Sequence, residues 1–274
     1  MDAAEFDGLI VDLDGVVWIG REPVPGSADA IAALRERAIR LVFLTNSPTG
    51  SRAEYVAALA RIGIPATEAD IVTSGSALAA FMAEEEGAGT PVYAIGSASL
   101  KAELGSVGLV LRADGRDVAA VAVAGHRDFD YDELRSASQA VRRGARLYAA
   151  GRDATFPMPD GPWPATGAIL AAVETASGVR ATSVGKPEPY IFEIARSLLR
   201  ECRRVAIVGD NVESDIAGGK RAGLTTILVL TGTTSRDDLA SAGVEPDFVV
   251  ADLASLAAEI GAGAPGYDVP RPPP

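Results

Sequence analysis

The stretch Leu9–Trp18, LIVDLDGVVW, runs apolar through Val11 and then presents two aspartates, Asp12 and Asp14, followed at once by a glycine. A short apolar run that ends in polar residues is typical of a buried strand in a parallel sheet. Because the chain can turn at Gly15, both carboxylates can reach one crevice beyond the strand end. Taken alone, such a pair more often marks a solvated turn or a helix cap, since the chain has 37 acidic residues.

The same pattern of an apolar run followed by a polar residue recurs along the chain. The further runs are RLVFLT at 40–45, RVAIVGD at 204–210 and TTILVL at 225–230. Amphipathic segments lie between them, SADAIAALRERA at 27–38 and RAEYVAALARIG at 52–63. Alternating strands and amphipathic helices predict an α/β fold with a doubly wound, Rossmann-like parallel sheet. Ligands bind such sheets at the carboxyl ends of the strands, so the polar residues there are expected to converge on one crevice.

The middle of the chain has strand and helix signals of its own. TPVYAIG, VAAVAVAG and ARLYAA are apolar runs at 90–96, 118–125 and 145–150, and helix-like segments accompany them. We therefore expect a smaller α/β domain at 80–182, inserted into a catalytic core formed by 1–79 and 183–262. Residues 263–274 are rich in glycine and proline and are expected to form a flexible tail.

Composition excludes several classes of function. The net charge of −12 disfavours nucleic acid and anionic membrane surfaces as partners, because those interactions rest on basic patches. No apolar run approaches the roughly 20 residues of a membrane span. The start of the sequence shows no basic or apolar leader, and Cys202 is the one cysteine, so a cytoplasmic location is expected. The single histidine, His126, disfavours phosphatases and hydrolases whose chemistry depends on histidine.

Three further segments carry residues suited to phosphate chemistry. LTNS supplies Thr45 and Asn46, whose hydroxyl and amide groups can donate hydrogen bonds to phosphate oxygens. GKPEP supplies Lys186, one of three lysines in the chain, and GDNVESDI supplies Asp210 and Asp215. Each segment alone is also compatible with a turn, a helix cap or an ordinary surface position.

Together the four segments predict a metal-dependent phosphoryl-transfer site. Several carboxylates in one crevice would raise one another's pKa unless a hard cation lay among them, and Mg²⁺ prefers oxygen ligands. A carboxylate nucleophile, a second carboxylate, a lysine, a threonine and Mg²⁺ are the groups that transfer through an aspartyl-phosphate needs.

The order DLDGVV, LTNS, GKPEP, GDNVESDI resembles the haloacid dehalogenase superfamily, in its branch of p-nitrophenylphosphatase and phosphoglycolate phosphatase-like enzymes. The resemblance extends to about residue 260 and implies a cap domain between the second and third motifs. It implies Asp12 as nucleophile, Asp14 as general acid and base, and Lys186 as the charge-balancing cation. The implied phosphoryl-binding residues are Gly15, Thr45 and Asn46. The implied Mg²⁺ ligands are Asp12, Asp14 through its backbone carbonyl, Asp210, and Asp215 in a supporting position.

The predicted cap departs from that branch at Gly151, Arg152 and Asp153, where relatives usually show Asn-Pro-Asp. Arg152 and Asp153 are candidate substrate-binding residues, although a solvated loop arginine is the alternative for Arg152. Phe156 and Trp163 are candidate apolar walls facing the core, or ordinary cap packing. The expected substrate is a small phosphate ester such as glycerol 3-phosphate or a phosphoglycolate-like metabolite. A phosphotransferase or mutase and a non-hydrolytic phosphoacceptor domain are the alternatives, and homodimerisation is common in relatives.

Overall fold

The computed structural model describes residues 6–20, 22–156, 158, 160–239 and 242–262. The predicted flexible tail at 263–274 lies outside these residues. The helices are α1 (Ser27–Glu36), α2 (Arg52–Arg61), α3 (Ser74–Glu86), α4 (Ala98–Ser106), α5 (Tyr131–Arg142), α6 (Thr166–Ser177), α7 (Pro189–Leu198), α8 (Ala217–Arg221), α9 (Arg236–Leu239) and α10 (Leu253–Ala262). A 3-10 turn, Glu68–Asp70, and a π-helical turn, Val212–Ile216, accompany them.

Fifteen strands accompany these helices in the described part of the chain. They are β1 (Gly8–Asp12), β2 (Trp18–Ile19), β3 (Glu22–Pro23), β4 (Arg40–Thr45), β5 (Ile71–Thr73), β6 (Pro91–Ile95), β7 (Val110–Leu111), β8 (Ala120–Val123), β9 (Arg146–Ala149), β10 (Thr155–Phe156), β11 (Trp163–Pro164), β12 (Thr182–Ser183), β13 (Val205–Gly209), β14 (Thr225–Val229) and β15 (Phe248–Val250).

The chain forms two compact units. The first unit comprises residues 6–45, 55–71 and 192–262, and the second comprises 46–54 and 72–191. These bounds differ from the predicted domain bounds, because α3 packs against α4 and the residues around Asn46 and Lys186 bond to one another within the second unit.

The first unit is built on a sheet of order β15-β14-β13-β1-β4, continued by β5, which begins at Ile71. The strands β15, β14, β13, β1 and β4 pair in parallel. All five residues of β1 are buried, as expected for a central parallel strand covered on both faces. Val11 pairs with Val208 and Asp12 with Leu44, so the carboxyl ends of three neighbouring strands share one edge.

The second unit has its own parallel sheet, of order β12-β9-β8-β6-β7. Its apolar core includes Tyr93, Ile95, Val121, Leu147 and Leu170. Helix α5 begins at an N-cap aspartate, Asp130, whose side chain accepts a hydrogen bond from the Glu133 amide. The predicted α/β class, with a doubly wound parallel core and a smaller α/β unit, is confirmed. Among the described residues, no helix combines the length and apolar character needed to cross a bilayer.

Candidate metal centre and active site

Three of the predicted metal ligands come together at the carboxyl edge of the first unit's sheet. Asp12 ends β1, Asp210 directly follows β13, and Asp215 lies in the π-helical turn after it. One carboxylate oxygen from each lies within 4.8 Å of the others. Their relative exposures are 5%, 4% and 0%, so the group is withdrawn from solvent.

Asp210 is held by backbone groups that approach it closely. The Thr233 amide donates to its Oδ2 at 2.5 Å, and the Thr234 amide donates to its backbone oxygen at 3.0 Å. A Cβ added to Gly15 would lie 2.4 Å from Asp210 Cγ, and one added to Gly232 would lie 2.1 Å from Asp210 Oδ2. Gly15 also has a φ of +83°, which side chains rarely adopt. Glycine at both positions therefore lets two chain segments close around one carboxylate.

Asp215 is fixed by the turn that contains it. Its Oδ2 accepts a hydrogen bond from the backbone N–H of Asn211 at 3.1 Å. The side-chain Oδ1 of Asn211 in turn accepts the backbone N–H groups of Glu213 and Ser214 at 2.9 and 3.1 Å. Asn211 therefore caps the π-helical turn. A Cβ on Gly209 would lie 2.3 Å from the Cβ of Asp215, so glycine at the end of β13 leaves room for this buried aspartate.

The donor set fits a hard divalent cation. Three buried carboxylates this close repel one another, and removing them from water without a counter-charge is costly. Carboxylate oxygens are the ligands that Mg²⁺ and Ca²⁺ prefer. The residues present therefore suit the predicted magnesium ion.

Asp14 lies two residues beyond Asp12 and is exposed. The indole Nε1 of Trp18 donates to Asp14 Oδ1 at 3.0 Å, and the Trp18 ring stacks on Tyr55 with 6.5 Å between centroids and an interplanar angle of 7°. Trp18 thus orients a predicted catalytic carboxylate.

The remaining predicted residues lie at the end of β4 and in the second unit. Thr45 is 1% exposed and is the last residue of β4, beside β1. Asn46 Oδ1 accepts the Lys186 amide at 2.7 Å, while its Nδ2 donates to Lys186 O at 2.9 Å and to Asp153 Oδ2 at 2.7 Å. Lys186 is 3% exposed. Three predicted site residues are therefore joined by one side-chain amide.

Arg152 is engaged within the second unit and is not a solvated loop residue. Its guanidinium donates to Glu174 Oε1 at 2.9 Å and to Ala181 O at 2.7 Å. Burial raises the pKa of Glu174, but the hydrogen bonds from Arg152 and the Ala181 amide, with the charges of Arg152 and Arg180, more than offset it and leave this pKa lowered. A substrate-binding role for Arg152 stays a prediction.

Phe156 and Trp163 pair across the β10–β11 hairpin with their ring centroids 6.4 Å apart. The Arg127 guanidinium lies 4.7 Å from the Trp163 ring centroid, and Trp163 Nε1 donates to Asp160 Oδ1 at 2.8 Å. Phe156 is 37% exposed. The hairpin therefore presents an aromatic surface on the second unit.

The chain's single histidine and single cysteine both have structural partners. His126 Nε2 lies 2.8 Å from Glu133 Oε2, and Cys202 Sγ donates to Asp7 O at 3.4 Å. Burial, followed by the charge of Asp7, raises the pKa of the Cys202 thiol. A thiol with a raised pKa is a poor nucleophile.

Sequence reasoning missed two contributors to the site. Trp18 belongs to no motif that distinguishes it from its apolar neighbours Val16 and Val17, yet its indole bonds Asp14. The segment TGTT at 231–234 drew no attention, yet its amides bond Asp210 and the Thr231 hydroxyl donates to Gly15 O at 2.5 Å. The available signal was a small, polar Thr-Gly run directly after a buried strand, β14, in a fold that binds ligands at such ends.

Comparison with known proteins identifies the family. The profile of the haloacid dehalogenase-like hydrolases matches residues 9–110, and a HAD-hydrolase-like profile matches 183–256. An acid sugar phosphatase of Staphylococcus saprophyticus is 34% identical over 256 residues, covering 93% of this chain and 98% of the relative.

Two solved structures extend the likeness to three dimensions. A glycerol phosphate phosphatase from Mycobacterium tuberculosis in complex with magnesium superposes with a TM-score of 0.88 at 34% identity, over 93% of this chain and 78% of that one. A p-nitrophenyl phosphatase from Archaeoglobus fulgidus superposes with a TM-score of 0.87 at 32% identity, over 93% of this chain and 99% of that one. The chain belongs to the haloacid dehalogenase-like hydrolases, within their phosphatase branch that includes the p-nitrophenylphosphatases.

Proposed function

We propose that this protein hydrolyses a small phosphomonoester, glycerol 3-phosphate or a phosphoglycolate-like metabolite, through an aspartyl-phosphate in the presence of Mg²⁺. The observation that carries the proposal is the buried group of Asp12, Asp210 and Asp215 at the carboxyl edge of a parallel sheet. A glycerol phosphate phosphatase among the similar structures, solved with magnesium, supports both the substrate class and the metal.

The metal would be held by Asp12, Asp210 and the backbone carbonyl of Asp14, with Asp215 in support. When bound, Mg²⁺ offsets the negative charge of the carboxylates and of the phosphoryl group, which lets an anionic nucleophile approach an anionic ester. Thr233 and the glycines against Asp210 fix the direction in which that carboxylate points.

The covalent steps fall to Asp12 and Asp14. A carboxylate oxygen of Asp12 attacks phosphorus in line, forming an acyl phosphate while the bond from phosphorus to the ester oxygen breaks. Asp14 gives its proton to the departing alkoxide and then takes one from the water that attacks the acyl phosphate, which releases inorganic phosphate and restores Asp12. The indole of Trp18 holds Asp14 in one orientation through both steps.

Binding of the phosphoryl group falls to Gly15, Thr45 and Lys186. The backbone at Gly15 and the hydroxyl of Thr45 supply donors at the ends of β1 and β4. The Lys186 ammonium supplies a compact positive charge for the oxygens that become more negative in the transition state. In a chain of net charge −12, such local cations are what allow an anionic substrate to bind.

The test is phosphate release with and without Mg²⁺ from glycerol 3-phosphate, phosphoglycolate, sugar phosphates and p-nitrophenyl phosphate. We expect release to require Mg²⁺ and to fall by at least about 10³-fold in Asp12→Asn, because the nucleophile is lost. Asp29→Asn, at an exposed position in the first turn of α1, is the matched control and should keep full activity.

Two results would replace the proposal. A stable phosphoryl group on Asp12 without turnover would indicate a phosphoacceptor domain. A new ester, formed at the expense of phosphate when an alcohol is added, would indicate a phosphotransferase or mutase.

A further inference from the structure

The side-chain amide of Asn46 is saturated by protein partners. An asparagine amide has two N–H donors and one carbonyl oxygen. Here one N–H donates to Lys186 O at 2.9 Å, the other donates to Asp153 Oδ2 at 2.7 Å, and Oδ1 accepts the Lys186 amide at 2.7 Å. The partners also fix the orientation of the amide, since a flipped group would set its nitrogen against the Lys186 N–H.

This saturation changes the role predicted for Asn46. With both N–H groups directed at Lys186 O and Asp153, the side chain has none left to give to a phosphoryl oxygen. The Asn46 side chain instead forms hydrogen bonds with the backbone of Lys186, at both its N–H and its C=O.

The chain around this contact is shaped to permit it. A Cβ added to Gly185 would lie 2.1 Å from Ala150 O and 2.8 Å from Asn46 Oδ1, so only glycine lets Asn46 reach the next residue's amide. A Cβ on Gly151 would already lie 3.8 Å from Asn46 Nδ2. Gly185 is therefore the glycine that this contact requires, since 3.8 Å at Gly151 is an ordinary van der Waals distance.

Asp153, the third member, is anchored independently of Asn46. The Gly167 amide, in the first turn of α6, donates to Asp153 O at 2.8 Å. The preceding residue, Arg152, is fixed to Glu174 and to Ala181 O. The backbone of Asp153 is therefore anchored without Asn46, and its carboxylate accepts one Asn46 N–H at 2.7 Å.

We propose that Asn46 and Asp153 are positioning residues for Lys186: Asp153 locks the Asn46 amide, and Asn46 clamps the Lys186 backbone so that its ammonium meets the phosphoryl group. The inference rests on the proposed phosphatase function. It assigns Asp153 an indirect role in place of direct substrate binding.

The first test separates positioning from substrate binding. Asn46→Ala should lower kcat about 10²-fold and leave KM nearly unchanged, because a misplaced Lys186 weakens the transition state more than the ground state. In a Lys186→Ala background the same substitution should cause no further loss. A rise in KM with kcat intact, or losses that multiply in the double variant, would overturn the proposal.

The second test addresses Asp153. Asp153→Ala should lower kcat about tenfold and add nothing to Asn46→Ala, whereas Asp153→Asn, whose amide oxygen can still accept the Asn46 N–H, should restore most of the rate. Asp130→Ala removes a comparable carboxylate-to-amide bond, to Glu133 at 2.8 Å, and serves as the matched control with unchanged kcat. Losses for Asp153→Ala and Asn46→Ala that multiply would instead indicate two separate roles.

A third readout does not depend on activity. Hydrogen exchange of the Lys186 amide in the full-length chain should accelerate at least about tenfold in Asn46→Ala and stay unchanged in Asp130→Ala. Unchanged exchange at Lys186 would overturn the clamp. If the wild-type protein released no phosphate while the exchange result held, the proposed phosphatase function would fail and the clamp would stand.

Discussion

Asp210 and Gly15 are in such close contact that a Cβ added to the glycine would lie 2.4 Å from the carboxylate carbon of Asp210. The two residues are remote in sequence and meet because β1 and β13 are parallel neighbours whose ends share one edge. A carboxylate can be held this tightly only where the opposing chain has no side chain. The contact therefore links a local glycine turn to the geometry of the proposed metal site.

Gly15→Ala should damage the proposed metal site. The added methyl displaces the Asp210 carboxylate and also strains a backbone with a φ of +83°. We expect the Mg²⁺ concentration for half-maximal activity to rise at least about tenfold, since carboxylate orientation sets affinity. The measurement is a Mg²⁺ titration of phosphate release.

Gly20→Ala is the matched control for that substitution. Gly20 also has a positive φ, +66°, but an added Cβ would have nothing within 4 Å. It should show backbone strain of about 1 kcal/mol in unfolding experiments and no change in the Mg²⁺ requirement. Equal Mg²⁺ shifts in both variants would mean that strain, and not the contact with Asp210, is responsible.

Asp215→Asn should weaken metal affinity more than it weakens the chemical step. Asp215 is fully buried in the carboxylate group, and its Oδ2 already accepts the Asn211 amide. Removing one negative charge should raise the Mg²⁺ concentration for half-maximal activity about 10- to 100-fold. Much of kcat should be recovered at saturating Mg²⁺. Isothermal calorimetry with Mg²⁺ and kinetics at high Mg²⁺ check the two parts. Loss of kcat that saturating metal cannot restore would place Asp215 in the chemistry itself.

Trp18→Phe should slow catalysis without unfolding the first unit. The phenyl ring can keep the packing against Tyr55, but the Nε1 donor to Asp14 is lost. One hydrogen bond of about 1 kcal/mol corresponds to a fall in kcat of about fivefold. Steady-state kinetics and a thermal melt are the measurements. A fall in melting temperature with kcat intact would show that the indole serves packing alone.

The ion pair of Arg152 with Glu174 should make stability depend on pH. The folded-state pKa of Glu174 lies below its ordinary value of 4.5, so the unfolded chain takes up this proton first as the pH falls. The stabilisation is complete above pH 4.5 and is lost as the pH falls from there through the folded-state pKa.

Glu174→Gln tests this dependence. Because Glu174 is half-buried and bonded to Arg152, the substitution should lower the free energy of unfolding at pH 7 by about 1 kcal/mol and flatten its dependence on pH below 4.5. Denaturant unfolding at several pH values measures both effects. The exposed Glu84→Gln, on α3, is the control and should change neither. If the free energy of unfolding of Glu174→Gln still falls with pH below 4.5 as steeply as that of the wild type, other carboxylates cause the pH dependence.

The sequence by itself determined the elements and the chemistry that they carry. Strands β1, β4, β13 and β14 follow from apolar runs bounded by polar residues, because burial on both faces leaves a signal in consecutive positions. Parallel pairing then brings the polar ends of these strands to one edge of the sheet. The identities of Asp12, Thr45 and Asp210 as candidates required no coordinates.

Only the tertiary structure decided which partner each side chain has. Asn46 and Lys186 are 140 positions apart, and their two-point contact depends on a chain path that no local pattern encodes. No local pattern encodes the hydrogen bond from the Thr-Gly run at 231–234 to Asp210 either. Nor does one encode the boundary between the two units at Asn46. Hydrogen bonds are short and directional, so a displacement of about 1 Å breaks them, and packing of the whole chain alone fixes positions that finely.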